Sequence, residues 1–189
     1  MFPDCKKLAS LLLIFGTLFF VSALWYAESI YPKYDIFQNY ISDLGVGTAA
    51  FIFNNAIMLA GFFLIIISFL LFKQFKDKLF LSLLAVTGIG AFGVGLFPEN
   101  AGYLHSVFSA ITFLFGAFSA IYSSKFSKKP FSWFFIQLGL FSLVATILFA
   151  TNNTFGLGIG GMERLIVYPF LIWTFVFGIY LIFSKENQN

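Results

Sequence analysis

The sequence predicts an all-α membrane protein, a single domain over residues 1–189 built as a bundle of six transmembrane helices. Of its 189 residues, 60% are hydrophobic and only 10% are charged, whereas a soluble domain carries about 25% charged residues. The apolar residues form continuous runs of roughly 18–22 residues, long enough to cross about 30 Å of hydrocarbon as helices. The runs lack the alternation of barrel strands, so we expect helices.

The six predicted helices follow one another through short links. They cover residues 8–27, 51–72, 79–97, 103–124, 131–150 and 164–183. The first run is longer than the apolar region of a signal peptide, which spans roughly 7–15 residues. We therefore interpret it as a retained helix.

The lysines predict how the bundle is oriented. Nine of the eleven Lys and Arg residues lie at one side, before helix 1, in the links 73–78 and 125–130, and after helix 6. By the positive-inside rule this side is cytoplasmic. The sequence thus predicts a multi-pass protein of the cell membrane with both termini in the cytoplasm. No basic stripe with interleaved polar residues is present, so no nucleic-acid partner is expected.

The longest predicted outer link, residues 28–50, contains a second candidate helix. Within residues 31–45, apolar side chains recur at spacings of three and four. This pattern favours a short amphipathic helix lying in the membrane interface, ended by Gly45.

The outer side also gathers the residues with the most varied chemistry. Ionisable residues in membrane helices usually face the bundle interior and mark function. The outer ends of six short-linked helices lie within about two helix diameters of one another, each 10–12 Å. A cluster is therefore feasible among the ionisable residues Asp43, Glu99, His105, Glu163 and Arg164.

One interpretation of this cluster is a site for an anionic lipid head group. The glycine-rich segment 156–164 enters a helix N-terminus, where free backbone N–H groups and the helix dipole attract anions. Arg164 would then contact the head group and Glu163 would orient Arg164. The predicted ligand-binding residues are Ser42, Glu99, Arg164, Gly160 and Gly161.

A second interpretation of the cluster gives Asp43, His105 and Glu163 a chemical role. They are candidates for catalytic proton transfer, or alternatively for ligands of one divalent metal ion. His105 is the single histidine, so a site with three histidines is excluded. A mixed site of one histidine and carboxylates remains chemically allowed.

The chain resembles a prokaryotic integral-membrane family known as domain of unknown function 998. The resemblance rests on Ser42-Asp43-Leu44-Gly45, Gly95-Leu96-Phe97-Pro98-Glu99-Asn100, His105, and Gly158 to Arg164 followed by Pro169 and Trp173. A looser likeness exists to the Frag1/DRAM/Sfk1 membrane proteins, which share six helices and a Ser-Asp-x-Gly element on the first outer link. The resemblance implies this topology and emphasises these residues, but it implies no reaction.

Three functions are compatible with these features. We favour a protein that binds or acts on a lipid head group or similar small amphiphile. If it is an enzyme, we expect a hydrolase or transferase that acts on the head group. A transporter or channel is the first alternative, although no charged residue lies near mid-membrane and 88–95 is the only candidate helix break. A structural accessory subunit, with the cluster as a polar cap, is the other.

Overall fold

The computed structural model describes residues 4–184, and within this range every regular element is helical. The six long helices are α1 Cys5–Ile30, α2 Ala50–Phe75, α3 Lys78–Leu96, α4 Tyr103–Ser123, α5 Phe131–Ala150 and α6 Gly158–Phe183. Short 3-10 helices lie in the links, at Ser42–Gly45, Gly47–Ala49, Glu99–Ala101 and Ser124–Phe126. All six long helices are long and apolar enough to cross a membrane, so the prediction of a six-helix integral membrane protein is confirmed.

The helices form a closed ring. Each helix packs against the next in the chain, and α1 also packs against α6. The links therefore alternate between two ends of the bundle. We call the end with links 31–49, 97–102 and 151–157 the polar end, and the opposite end the basic end. Lys185, which we counted at the basic end, lies outside the described residues.

Glycines bring α2 and α3 close together. A Cβ atom placed on Gly61 would lie 2.5 Å from the Gly88 carbonyl oxygen, so neither position tolerates a side chain without a shift of the backbone. Helix α3 continues without interruption past these glycines. The candidate break at 88–95 is therefore a packing face, which leaves the six-helix architecture as the sequence feature that favours a transporter.

Aromatic side chains fill the half of the bundle nearer the basic end. Phe80, Phe135, Trp173 and Phe177 are fully buried there, and the ring centroids of Trp173 and Phe177 lie 5.5 Å apart. The indole N–H of Trp173 donates a hydrogen bond of 2.9 Å to the Ser123 hydroxyl. This half is densely packed, which leaves the polar end as the place where a site can form.

Helix α6 begins earlier than its apolar run predicts. It starts at Gly158 rather than at residue 164, so Glu163 and Arg164 lie within its first two turns. The predicted start is wrong because the glycine-rich segment is part of the helix rather than a loop before it. Both charged side chains consequently point from a helix that is packed into the bundle, and both are buried.

The amphipathic helix predicted for residues 31–45 is not formed. This stretch consists of turns followed by the 3-10 helix Ser42–Gly45. Besides local turn bonds such as Asn39 N–H to the Asp35 carbonyl oxygen, its backbone bonds to side chains of α6. The carbonyl oxygen of Ile36 accepts from Arg164, and the N–H of Ile41 donates to Glu163. These tertiary bonds replace the helical bonds that the apolar spacing favoured.

Candidate functional site

Arg164 holds the link 31–49 against α6. Its Nη1 donates to the carbonyl oxygens of Ile36 at 2.8 Å and Gly160 at 3.1 Å. Its Nη2 donates to Glu28 Oε1 at 2.6 Å and to the Tyr34 hydroxyl at 2.8 Å. The guanidinium thus joins α1, α6 and the link, and these donors are used inside the protein.

The expected pairing of Arg164 with Glu163 is wrong. Arg164 pairs with Glu28 at the end of α1, because the ring closure places α1 beside α6. The link covers the guanidinium, so its contacts do not indicate the predicted role of binding an external anion. Arg164 is instead a clamp on the polar end.

Tyr34 takes part in this clamp as a neutral hydroxyl. Burial raises the pKa of Tyr34 to about 12, and the neighbouring guanidinium offsets this only in part. The hydroxyl therefore keeps its proton and donates it to the Tyr40 carbonyl oxygen at 2.9 Å while it accepts from Arg164.

The same link covers the first turn of α6. The Gly160 N–H donates to the Phe37 carbonyl oxygen at 3.0 Å, and a Cβ atom on Gly160 would overlap the Asn39 carbonyl oxygen. A Cβ atom on Gly161 would lie 3.5 Å from the Phe37 ring. Close approach of the link therefore explains Gly160 without an open anion site, whereas Gly161 has ordinary contact distance to the link.

Glu163 has a different environment. Its side chain is buried, and Oε2 accepts the Ile41 N–H at 2.5 Å. The Ser42 N–H lies beside the same carboxylate. These contacts fix the carboxylate beneath the 3-10 helix Ser42–Gly45, at the inner wall of a cavity described below.

Two more carboxyl groups lie close to Glu163. Asp43 Oδ2 accepts from Asn39 Nδ2 and from the Tyr40 N–H, each at 2.9 Å. The pKa of Glu99 is raised to about 8, mainly by burial, then by its hydrogen bond to Asp43 and by the charges of Asp43 and Glu163. At neutral pH the Glu99 carboxyl, with its pKa raised to about 8, therefore keeps its proton beside the Asp43 carboxylate.

His105 contributes an acceptor to the same region. Its Nδ1 lies 2.9 Å from the Phe97 carbonyl oxygen, which fixes the tautomer with the proton on Nδ1. Nε2 then carries a lone pair and lies 3.2 Å from the Ser109 hydroxyl. Helix hydroxyls such as that of Thr112 bond to a carbonyl oxygen one turn earlier, whereas Ser109 bonds to the imidazole.

These side chains surround a cavity of about 500 Å³ at the polar end. Its wall includes Ser42 and Tyr40 from the link, Glu99, His105 and Ser109 near or on α4, Thr146 and Phe149 on α5, and Glu163 on α6. A smaller apolar cavity of about 80 Å³ lies deeper in the bundle. The two cavities share Ser42, Ser109, Phe113 and Glu163.

The larger cavity opens between α4 and α5. Ser106 and Ala110 on α4 and Ala150 on α5 line it and are also exposed on the outside of the bundle. The small side chains leave a gap that larger ones would close. Both helices are long and apolar enough to cross a membrane, so the gap lies on the side of the bundle that lipid would contact.

The structure brings half of the predicted site residues to the cavity. Ser42, Glu99, His105 and Glu163 line it, whereas Asp43 lies behind Glu99. Arg164, Gly160 and Gly161 line neither cavity. The sequence did not single out Ser109, Tyr40 or Glu28. The available signal for the gap was the spacing of four between the small residues Gly102, Ser106 and Ala110.

The predicted metal ligands do not form a metal-binding set. Across residues 4–184, no group of three or more His, Cys, Asp or Glu side chains is placed to hold a metal ion. The ring nitrogens of His105 are directed at Phe97 and Ser109. Metal binding by Asp43, His105 and Glu163 stays a prediction, and we derive no metal-dependent step.

The fold and the cavity define a polytopic membrane protein with a buried polar chamber at one end of a six-helix ring. The chain belongs to the family described as protein of unknown function (DUF998), whose model matches residues 14–180. The resemblance to domain of unknown function 998 is thereby confirmed, and the looser likeness to the Frag1/DRAM/Sfk1 proteins stays a prediction. Neither the comparison with curated proteins nor the comparison with solved structures gives a match.

Proposed function

We propose that the protein binds the polar head of a membrane amphiphile in the 500 Å³ cavity. The observation that supports this most is the combination of buried polar groups with a gap that faces lipid. Glu163 and His105 are both more than nine-tenths buried, yet both line a cavity that opens between α4 and α5. An amphiphile is the ligand class that matches a polar chamber entered from the bilayer.

The size of the cavity supports the same assignment. Ligand pockets usually have volumes of about 300–1,000 Å³, and this cavity lies within that range. A head group and the first carbons of its chain would occupy it. The rest of the chain would leave past Ala110 and remain among the lipids.

The distribution of lysines supports a location in the outer half of the cell membrane. The polar end lies opposite the end that carries most of the basic residues, and basic residues favour the cytoplasmic side. The site would therefore take its ligand from the outer leaflet. Arg164 in this proposal holds the link that roofs the cavity and does not contact the ligand.

Blocking the gap tests the proposal. Protein purified in mild detergent should retain about one amphiphile per chain, as expected for one pocket of this size, detected by solvent extraction and mass spectrometry. Ala110→Trp should abolish this retention, because the indole fills the gap. Val144→Trp is the control, since Val144 is exposed on α5 but does not line either cavity. Equal retention in the two variants would refute the proposed site.

A second candidate function is hydrolysis or transfer at the bound head group. The observation that favours it is the Ser109–His105 hydrogen bond, in which the imidazole Nε2 is placed to take the hydroxyl proton. An alkyl fluorophosphonate should then label Ser109 in the wild type but not in His105→Ala. Without labelling in the wild type, Ser109 is only the hydrogen-bond partner of a buried histidine.

A further inference from the structure

The ionisable side chains on the wall of the large cavity accept hydrogen bonds or carry negative charge, and the other polar groups there are neutral hydroxyls. Glu99 and Glu163 contribute two carboxyl groups, and His105 presents the lone pair of Nε2. In the part of the chain that the structure describes, neither Lys nor Arg lines this cavity. The wall thus offers no cationic side chain to an anionic ligand.

Glu163 supplies an oxygen that the protein leaves free for a ligand. The side chain is 6% exposed, and its hydrogen bond from Ile41 uses Oε2. The Ser42 N–H lies beside the carboxylate, but within residues 4–184 the one donor placed at 2.5 Å is the Ile41 N–H, and it faces Oε2 rather than Oε1. Since Glu163 lines both cavities, this second oxygen is available to a donor that enters the chamber.

The positive groups nearby do not offset this charge. The guanidinium of Arg164 is bound to Glu28 and Tyr34 and lies outside the cavity wall. The N-terminal end of α4 carries a dipole equivalent to roughly +0.5 charge, which is less than the charge of one ionised carboxylate. The net field in the cavity therefore favours a cation.

Aromatic groups on the wall act in the same direction. Tyr40 and Phe149 both line the cavity and form an edge-to-face pair with ring centroids 5.8 Å apart. A ring face attracts a cation held within about 6 Å of its centroid. Aromatic walls beside a carboxylate are a favourable environment for an ammonium group that has lost part of its water shell.

We infer that the head group selected by this cavity is a protonated amine, with Glu163 Oε1 as its counter-charge and the Tyr40–Phe149 pair beside it. This inference rests on the proposed function, because it names the chemistry of the amphiphile bound there. It differs from the anionic head group that the sequence favoured. An anion would face Glu99 and Glu163 directly, with Asp43 behind them and no cation on the wall.

Three probes with one alkyl chain separate charge from chain binding. Dodecylamine, dodecanol and dodecanoate are added at equal mole fraction to protein in a neutral detergent at pH 7. The thermal unfolding midpoint is followed by tryptophan fluorescence, and an apparent affinity is obtained from its dependence on probe mole fraction. The variants are Glu163→Gln and Glu99→Gln, and the control is Asp77→Asn at the basic end.

The inference predicts that dodecylamine binds the wild type about ten-fold or more tightly than dodecanol, a difference equivalent to 1.4 kcal/mol. Glu163→Gln should remove this preference, so that dodecylamine and dodecanol bind the variant with equal affinity, while the amide can still accept from Ile41. Asp77→Asn should retain the preference. Glu99→Gln, which keeps the neutral form of Glu99, should retain most of it.

The outcomes distinguish the inference from the function on which it rests. Equal binding of dodecylamine and dodecanol, or tighter binding of dodecanoate, would overturn selection of an amine while amphiphile binding stands. A preference that survives Glu163→Gln would overturn the assignment of Glu163. Absence of any shift with all three probes would overturn the proposed function itself.

Discussion

Replacing Arg164 tests whether the polar end is held together by one buried cation. Arg164→Met keeps the unbranched part of the side chain as far as the position of Nε but removes the charge and every hydrogen-bond donor. The Glu28 carboxylate, 17% exposed and paired at 2.6 Å, then loses its partner, and the carbonyl oxygen of Ile36 loses the hydrogen bond from Arg164. Breaking a buried ion pair on one side costs about 3–5 kcal/mol, and the partial exposure of Glu28 favours the lower end.

The free energy of unfolding is measured by titration with sodium dodecyl sulfate in mixed micelles, with helicity as the signal. Glu28→Gln in the Arg164→Met background should recover part of the loss, because the unpaired charge is gone. Lys125→Met is the control. Lys125 pairs with Asp77 at 2.8 Å but its side chain is 58% exposed, and such surface pairs contribute about 0–1 kcal/mol.

The reasoning fails if Arg164→Met and Lys125→Met lower the free energy of unfolding equally. It also fails if Arg164→Met folds with wild-type stability and loses only its bound amphiphile. That second result would indicate that Arg164 contacts the ligand, as the sequence predicted.

Three further predictions concern packing and protonation. Gly160→Ala should lower the free energy of unfolding by about 1–3 kcal/mol, as overpacking does. Gly161→Ala should change the free energy of unfolding by less than about 1 kcal/mol. Both values are measured by the titration with sodium dodecyl sulfate. The free energy of unfolding should fall as pH rises from 4.5 to about 8. Burial and neighbouring carboxylates raise the Glu99 pKa in the folded state, so the folded state holds a proton that the unfolded state releases in this window. Glu99→Gln should reduce this dependence on pH. Trp173→Phe should cost about 1 kcal/mol or more for the lost bond to Ser123, and an unchanged midpoint would contradict it.

The helices were predictable because their signal is local. A run of apolar residues long enough to span the bilayer is sufficient to predict a helix, and all six runs form helices. The error at the start of α6 has the same origin. The glycine-rich segment before Glu163 is not apolar enough to extend the run, although its backbone is helical.

The link 31–45 could not be predicted from its own residues. Its apolar spacing suits a helix, but its conformation is determined by Glu163 and Arg164, more than a hundred positions later. Similarly, pairing of Arg164 with Glu28 requires the contact between α1 and α6. Such contacts depend on the closure of the ring, which no local pattern specifies.

The candidate site was predictable in composition but only partly in roles. Ser42, Glu99, His105 and Glu163 were expected at one end and do meet in one cavity. Arg164 was expected beside them because of its charge, yet its guanidinium is bound to neighbouring groups such as Glu28 and does not line the cavity. Buried charges are first used to satisfy one another, and the sequence alone does not show which pairs form.

The most direct test of the account measures whether an amphiphile reaches Ser109 through the gap between α4 and α5. In a Cys5→Ser background, Ser109→Cys is treated in membranes with a long-chain alkyl maleimide, and Ser119→Cys serves as the control on the same helix. Ser109 lines both cavities, whereas Ser119 is fully buried at 0% exposure. The account predicts rapid modification at position 109, its suppression by Ala110→Trp, and none at position 119. Equal modification at the two positions, or none at position 109, would contradict the existence of an amphiphile site in this cavity.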